Sequence, residues 1–95
     1  MALQGKLATI DGTGVNSIAL GSNAIGIGAN SIAIGLNANA GGGGAIAFGR
    51  NAITNAACAI AFGFQANAMG TNCITIGSLA RANTNIGTTD LLYPT

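Results

Sequence analysis

The sequence has no histidine, no tryptophan and a single proline, and it contains only three Lys or Arg and two Asp or Glu residues. Its two carboxylates, Asp11 and Asp90, lie far apart, so no base is available to activate a serine or cysteine nucleophile. A net charge of +1 provides no basic surface for nucleic acid. The two cysteines form no CxxC motif. The sequence therefore predicts a non-enzyme with no cofactor, metal ion or nucleic-acid partner.

The rest of the composition narrows the class of protein further. Low charge combined with 49% hydrophobic residues excludes the usual disordered class, and 16 glycines without a Gly-X-Y period exclude collagen. Residues 17–36 have the length of a membrane-spanning helix, but regularly spaced glycines interrupt them, so no membrane span is predicted. A chain of 95 residues forms one domain at most and commonly needs disulfides, metals or oligomerisation for stability.

A 14-residue repeat runs through most of the chain. Each unit has an apolar triplet, then a glycine, then an alanine three residues later. The repeat glycines are Gly21, Gly35, Gly49, Gly63 and Gly77. A fixed period of this kind predicts a solenoid, with a strand at each triplet and a turn at each glycine. Weaker strands are predicted half a period later, which gives a flattened coil with one apolar and one solvent-facing sheet.

Each apolar triplet alternates a small alanine with bulky residues, and alternate residues of a strand point to opposite faces. We expect the bulky face to fill the coil of its own chain. The alanine face would then pack flat against another chain. The predicted trimer interface residues are Ala19, Ala33, Ala47 and Ala61.

The turns and cysteines also follow the repeat. Asparagine tolerates the left-handed backbone of tight turns, and the repeat places Asn23, Asn37 and Asn51 above one another. The glycine run at residues 41–44 does not shift the period, which favours a coil edge over a flexible linker. Cys58 and Cys73 occupy neighbouring but different repeat positions, so we expect them to point to opposite sides and remain free thiols.

Both ends of the chain depart from the repeat. We predict three parts: an N-terminal cap or attachment segment at residues 1–15, the roll at 16–87 and a C-terminal tail at 88–95. Terminal units of a solenoid are atypical because they cap open edges. The apolar Leu91, Leu92 and Tyr93 are candidate attachment residues. The N-terminus has no basic region followed by a continuous apolar core, so no signal peptide is predicted.

The hexapeptides NSIALG at residues 16–21, NSIAIG at 30–35 and NCITIG at 72–77 resemble the head repeat of trimeric autotransporter adhesins, the YadA-like heads. The resemblance covers roughly residues 16–87. It implies an all-β fold, a left-handed parallel β-roll of about five 14-residue coils. It also implies a homotrimer, with three chains side by side about a threefold axis and the Ile-Ala-Φ strands on the inside (Φ is Leu, Ile or Phe).

The sequence also departs from that family. Its adhesins carry an export signal, a heptad-repeat stalk and a membrane anchor, and none is visible here. With Met1 at its start, we predict a complete protein that serves as a structural component at a virion surface. It would be a capsid decoration or cement protein, or a short tail-fibre module, with capsid or tail proteins as partners. The alternative is an adhesin head on a bacterial surface that binds host surface or matrix. Candidate recognition residues are Arg50, Arg81 and Tyr93.

Overall fold

The computed structural model describes residues 12–82 and the backbone of residues 89–91. Short strands alternate with tight turns along the whole described chain. In chain order the strands are β1 (Ile18–Leu20), β2 (Ile25–Gly26), β3 (Ile32–Ile34), β4 (Asn39–Ala40), β5 (Ile46–Phe48), β6 (Ile53–Thr54), β7 (Ile60–Phe62), β8 (Asn67–Ala68), β9 (Ile74–Ile76), β10 (Arg81–Ala82) and β11 (Thr89–Leu91).

The strands form two parallel sheets that face each other across each coil. Sheet A has the order β1-β3-β5-β7-β9-β11, and sheet B has the order β10-β8-β6-β4-β2. From β1 to β10, paired residues are 14 positions apart, as Ala19 and Ala33 are. Adjacent strands are about 4.8 Å apart, so five coils stack to a height of about 24 Å. The predicted all-β parallel solenoid is confirmed.

The register extends earlier than predicted and changes at the C-terminal end. Gly12 forms a parallel bridge with Gly26, so the 14-residue spacing begins four residues before the predicted start of the roll. In the last pair of sheet A, Thr89 lies beside Ile74. That offset of 15 residues means that the final coil contains one residue more than the others.

Two tight turns close each coil. The first turn leads from sheet A to sheet B, and in it the Ala24 N–H donates to the Gly21 carbonyl at 3.2 Å. Its third residue has a left-handed backbone, with φ of 62°, 60° and 62° at Asn23, Asn37 and Asn51. This confirms the predicted use of asparagine. Successive first turns are joined by a backbone ladder, in which the Asn37 N–H donates to the Ser22 carbonyl at 2.9 Å.

The second turn leads from sheet B back to sheet A and has the same form. The Ser31 N–H donates to the Gly28 carbonyl at 3.2 Å, and Asn30 has a φ of 60°. In the second coil this turn lies in the glycine run, where Gly44 takes the left-handed position with a φ of 67°. The strands on either side of the run keep their register, as predicted for a coil edge.

Small side chains alone fill the interior of the coils. The largest fully buried residues among those described are Thr54, Thr75, Cys73 and Ser31. Four alanines of sheet A are 0% exposed within the single chain: Ala19, Ala33, Ala47 and Ala61. The prediction that these alanines form the interface between chains is therefore wrong, because they line the interior of their own coil. The bulky residues beside them point outward.

The repeat glycines are required by the backbone, which leads to a first testable prediction. Gly35 has a φ of 126°, and a Cβ there would lie 2.6 Å from the Gly49 carbonyl oxygen of the next coil. Gly35→Ala is expected to lower the free energy of unfolding by at least about 2 kcal/mol. An alanine is strained at this φ, and its Cβ would clash with the next coil unless the two coils separate. Urea denaturation followed by circular dichroism measures this loss.

The matched control for this variant is Gly43→Ala. A Cβ at Gly43 would meet only the Ala29 carbonyl oxygen at 3.8 Å, and its φ lies outside the left-handed region. This variant is expected to keep or slightly raise stability, because alanine restricts the unfolded chain. Equal losses in the two variants would contradict the close approach of backbones at the repeat glycines.

Candidate interaction surface

The outer face of sheet A carries two adjacent columns of large apolar side chains, which we call the A-face. Its residues are Ile18, Leu20, Ile32, Ile34, Ile46, Phe48, Ile60, Phe62, Ile74 and Ile76. All ten are exposed or half-buried in the single chain. Phe62 is 49% exposed, and Ile18 and Ile76 are each 44% exposed. The A-face runs the full height of the five coils.

The in-register stacking of the coils makes the A-face continuous. Phe48 and Phe62 are paired residues of β5 and β7. Their rings stack with centroids 4.7 Å apart and planes only 5° from parallel. Side chains at equivalent positions of neighbouring coils therefore lie directly above one another along the A-face.

The arrangement leaves the largest apolar groups of the described chain uncovered. Full burial of one such side chain contributes about 1.5–3 kcal/mol, and a contiguous apolar surface on a soluble protein typically marks an interaction site. The sequence does carry a signal for this face, although the rule that bulky apolar residues lie inside does not reveal it. Columns made up only of small residues at every coil lie inside, and columns that accept Leu, Ile or Phe interchangeably lie outside.

The outer face of sheet B is more polar than the A-face. Its first column alternates isoleucine with asparagine and ends in a cation: Ile25, Asn39, Ile53, Asn67 and Arg81. The side-chain oxygens of Asn39 and Asn67 are buried within this column and accept no hydrogen bond. Sheet A is thus the more apolar of the two sheets, as predicted, but the prediction that its bulky residues fill the coil is wrong, because they lie on the outside.

The predicted recognition and attachment residues do not converge on one site among the described residues. Arg50 lies at a first turn, with its guanidinium 4.6 Å from the centre of the Phe64 ring. Arg81 is exposed in β10 on sheet B. The backbone of Leu91 belongs to β11, whereas Leu92 and Tyr93 lie outside the described residues. Their role in attachment stays a prediction.

The cysteines follow the sequence prediction. Cys58 is exposed and Cys73 is buried, and no disulfide joins them. Across the part of the chain that the structure describes, no three His, Cys, Asp or Glu side chains come together as a set that could hold a metal ion. Within those same residues there is also no helix of the length and apolarity that crossing a membrane requires.

Comparison with known protein families supports the resemblance seen in the repeat units. Residues 13–25 and 27–52 match the YadA head domain repeat, in two copies. The matched segments span β1 to β5, and the coils that follow continue in the same 14-residue register. A comparison with curated protein sequences found no match.

Proposed function

Since this chain carries the YadA head domain repeat on a parallel β-solenoid, we propose that it is a non-enzymatic head module that assembles as a homotrimer. The A-faces of the three chains pack around the threefold axis, and the sheet B faces point to solvent. The exposure of the A-face in the single chain is the observation that carries the proposal. Modules with this repeat and fold are typical of adhesins and structural proteins.

The physical reason for a trimer is that a single chain buries small side chains and leaves its large apolar side chains exposed. The coil interior buries mainly methyl groups and hydroxyls, so it contributes little hydrophobic stabilisation. Ten larger side chains remain on one flat face. A closed ring about an axis can cover that face in every subunit, whereas a single chain leaves it in water. The A-face then becomes the main hydrophobic core of the assembly.

We place the trimer on an outer surface as an adhesin-like head. The family match supports this assignment, because the repeat is that of an adhesin head domain. In such a head the sheet B faces and the turns are available to a partner on three sides. Its partner would be a host surface or matrix component.

The alternative placement that we propose is at the surface of a virion, and an exposed thiol is compatible with it. Cys58 is exposed and unpaired, and free cysteines persist in reducing compartments such as the cytosol in which virions assemble. In this placement the module is a capsid decoration or cement protein or a tail-fibre piece. Its partners would be capsid or tail proteins.

Labelling with an antibody against the purified protein tests the two placements. Immunogold electron microscopy on intact cells that produce the protein should label the cell envelope if the module is an adhesin head. If the module belongs to a virion, the antibody should instead label purified particles from the same cells. Cryo-EM of those particles should then show threefold-symmetric density for the module. Absence of label from both surfaces, with all the protein inside the cells, would contradict surface display.

A further inference from the structure

The A-face consists of two columns that differ in character. The first residue of each triplet is isoleucine in all five coils, and we call this the isoleucine column. The third residue is leucine, isoleucine or phenylalanine, and we call this the mixed column. The isoleucine column holds Ile18, Ile32, Ile46, Ile60 and Ile74, and the mixed column holds Leu20, Ile34, Phe48, Phe62 and Ile76. Strand pairing keeps one member of each column in every coil.

Neither column is fully covered by the chain that carries it. From the second to the fifth coil the isoleucine column is half-buried. The mixed column stands out further, since Phe48 and Phe62 are 40% and 49% exposed. Their rings stack with centroids 4.7 Å apart, so they fill two successive levels of the mixed column. Any chain that packs on the A-face must therefore meet one column of constant size and one whose size changes from coil to coil.

The dimensions of the A-face determine how it can lie in a ring. It is five coils tall, about 24 Å, and its two columns are two residues apart on each strand, about 7 Å. When the threefold axis runs along the stack of coils, all ten side chains face neighbouring chains. An axis across the stack would leave the coils at the ends of the A-face uncovered. The tall, narrow shape therefore favours an arrangement in which equivalent coils of the three chains lie at the same height.

The geometry points to contact between the isoleucine column of one chain and the mixed column of the next chain, within the same coil. This pairing rests on the proposed trimer. In a closed ring each chain meets its two neighbours through two different surfaces. An A-face turned toward the axis therefore offers one column to each neighbour, whereas copies of the same column lie farther apart across the axis. A second copy of this chain thus covers each column.

The sizes of the side chains support this pairing. One member of each contact is always isoleucine, so a contact changes from coil to coil through one partner only. Where the mixed column carries Phe48 and Phe62, the neighbouring chain presents Ile46 and Ile60. Contact between like mixed columns would instead bring phenylalanine against phenylalanine in two coils and isoleucine against isoleucine at Ile34. A regular stack of coils would then be overfilled at one height or hollow at another, and both reduce stability.

Cross-linking between two kinds of chain tests which columns meet. Chains with Ile60→Cys are co-expressed with longer, tagged chains with Phe62→Cys, both in a Cys58→Asn background. A short bifunctional thiol reagent should join unlike chains at least ten times more often than like chains. The same excess is expected one coil earlier, for Ile46→Cys with Phe48→Cys.

The control pair for the cross-linking is Ile53→Cys with Asn55→Cys. These residues have the same spacing on the outer side of sheet B, and they should give no cross-link between chains. If the mixtures sediment as trimers and like chains are joined as often as unlike chains, the proposed pairing is wrong although the trimer stands. If the unmodified protein sediments as a monomer, the proposed trimer is refuted as well.

An exchange of side-chain sizes gives a second test that does not depend on a reagent. Ile60→Phe overfills the contact and Phe62→Ile leaves it underfilled, whereas the chain with both substitutions again places one phenylalanine against one isoleucine. Its trimer should dissociate at least tenfold less readily than the combined effects of the two single substitutions predict. Ile46→Phe with Phe62→Ile makes the same two changes in different coils and should show no such recovery. Equal recovery in both combinations, or none in either, would overturn the pairing.

Discussion

Phe62→Asp is expected to convert the proposed trimer into separate chains. In the single chain this side chain is 49% exposed on β7, the fourth of the five strands that carry the A-face, so the coil itself can accept a carboxylate there. In the trimer, each chain would lose about 1.5–3 kcal/mol of phenylalanine burial. Three carboxylates would also be desolvated near the axis at several kcal/mol each, for a combined loss of more than about 10 kcal/mol per trimer. Sedimentation velocity at micromolar concentration measures the result.

The matched control for Phe62→Asp is Met69→Asp. Met69 is 39% exposed on the outer side near sheet B, so it receives the same charge at similar exposure away from the A-face. This variant should remain trimeric, and its stability should stay close to that of the unmodified protein. A Phe62→Asp protein that remains trimeric would exclude the A-face as the inter-chain contact.

Ala33→Asp is expected to unfold the coil rather than separate intact chains. Ala33 is 0% exposed in the single chain, and its neighbours in the same interior column are the methyl groups of Ala19 and Ala47. An unpaired carboxylate in this column would lower the free energy of unfolding by at least about 4 kcal/mol. Loss of the β-sheet circular dichroism signal together with loss of the trimer would show this.

Ala33→Ser is the conservative control for the interior position. Thr75 occupies the same column one coil beyond Ala61 and is fully buried, so the interior accepts a hydroxyl group. We expect the serine variant to remain folded, with a loss of about 1–3 kcal/mol if the hydroxyl finds no partner. An Ala33→Asp chain that keeps its β-sheet signal and loses only the trimer would restore the alanine face as the interface.

The period of the sequence was sufficient to predict the fold. Each repeat glycine ends a strand of sheet A, and the turn asparagines adopt left-handed backbone as predicted. These features could be predicted from short segments alone, because a tight turn that requires positive φ favours glycine and asparagine. The constant spacing of 14 residues then determines which residues pair between neighbouring coils from Gly12 to Ala82. Only the last strand pair, with its 15-residue offset, departs from it.

The direction of the two faces could not be predicted by the usual rule that bulky apolar residues lie inside. In an Ile-Ala-Phe triplet both faces are apolar, so hydropathy alone does not distinguish them. Tight turns join the two sheets of each coil, and only small side chains such as those of Ala47 and Thr54 fill the space between the sheets. The large side chains therefore lie on the outside, in the A-face. The candidate interface is accordingly formed by the isoleucine and phenylalanine residues beside the alanines, and not by the alanines.

Sedimentation equilibrium of the unmodified protein tests the central claim most directly. The A-face buried around a threefold axis predicts a single species of three times the 9.1 kDa chain mass, persisting at low micromolar concentration. A stable, folded monomer at those concentrations would contradict the claim, because it would mean that this chain tolerates its largest apolar surface in water.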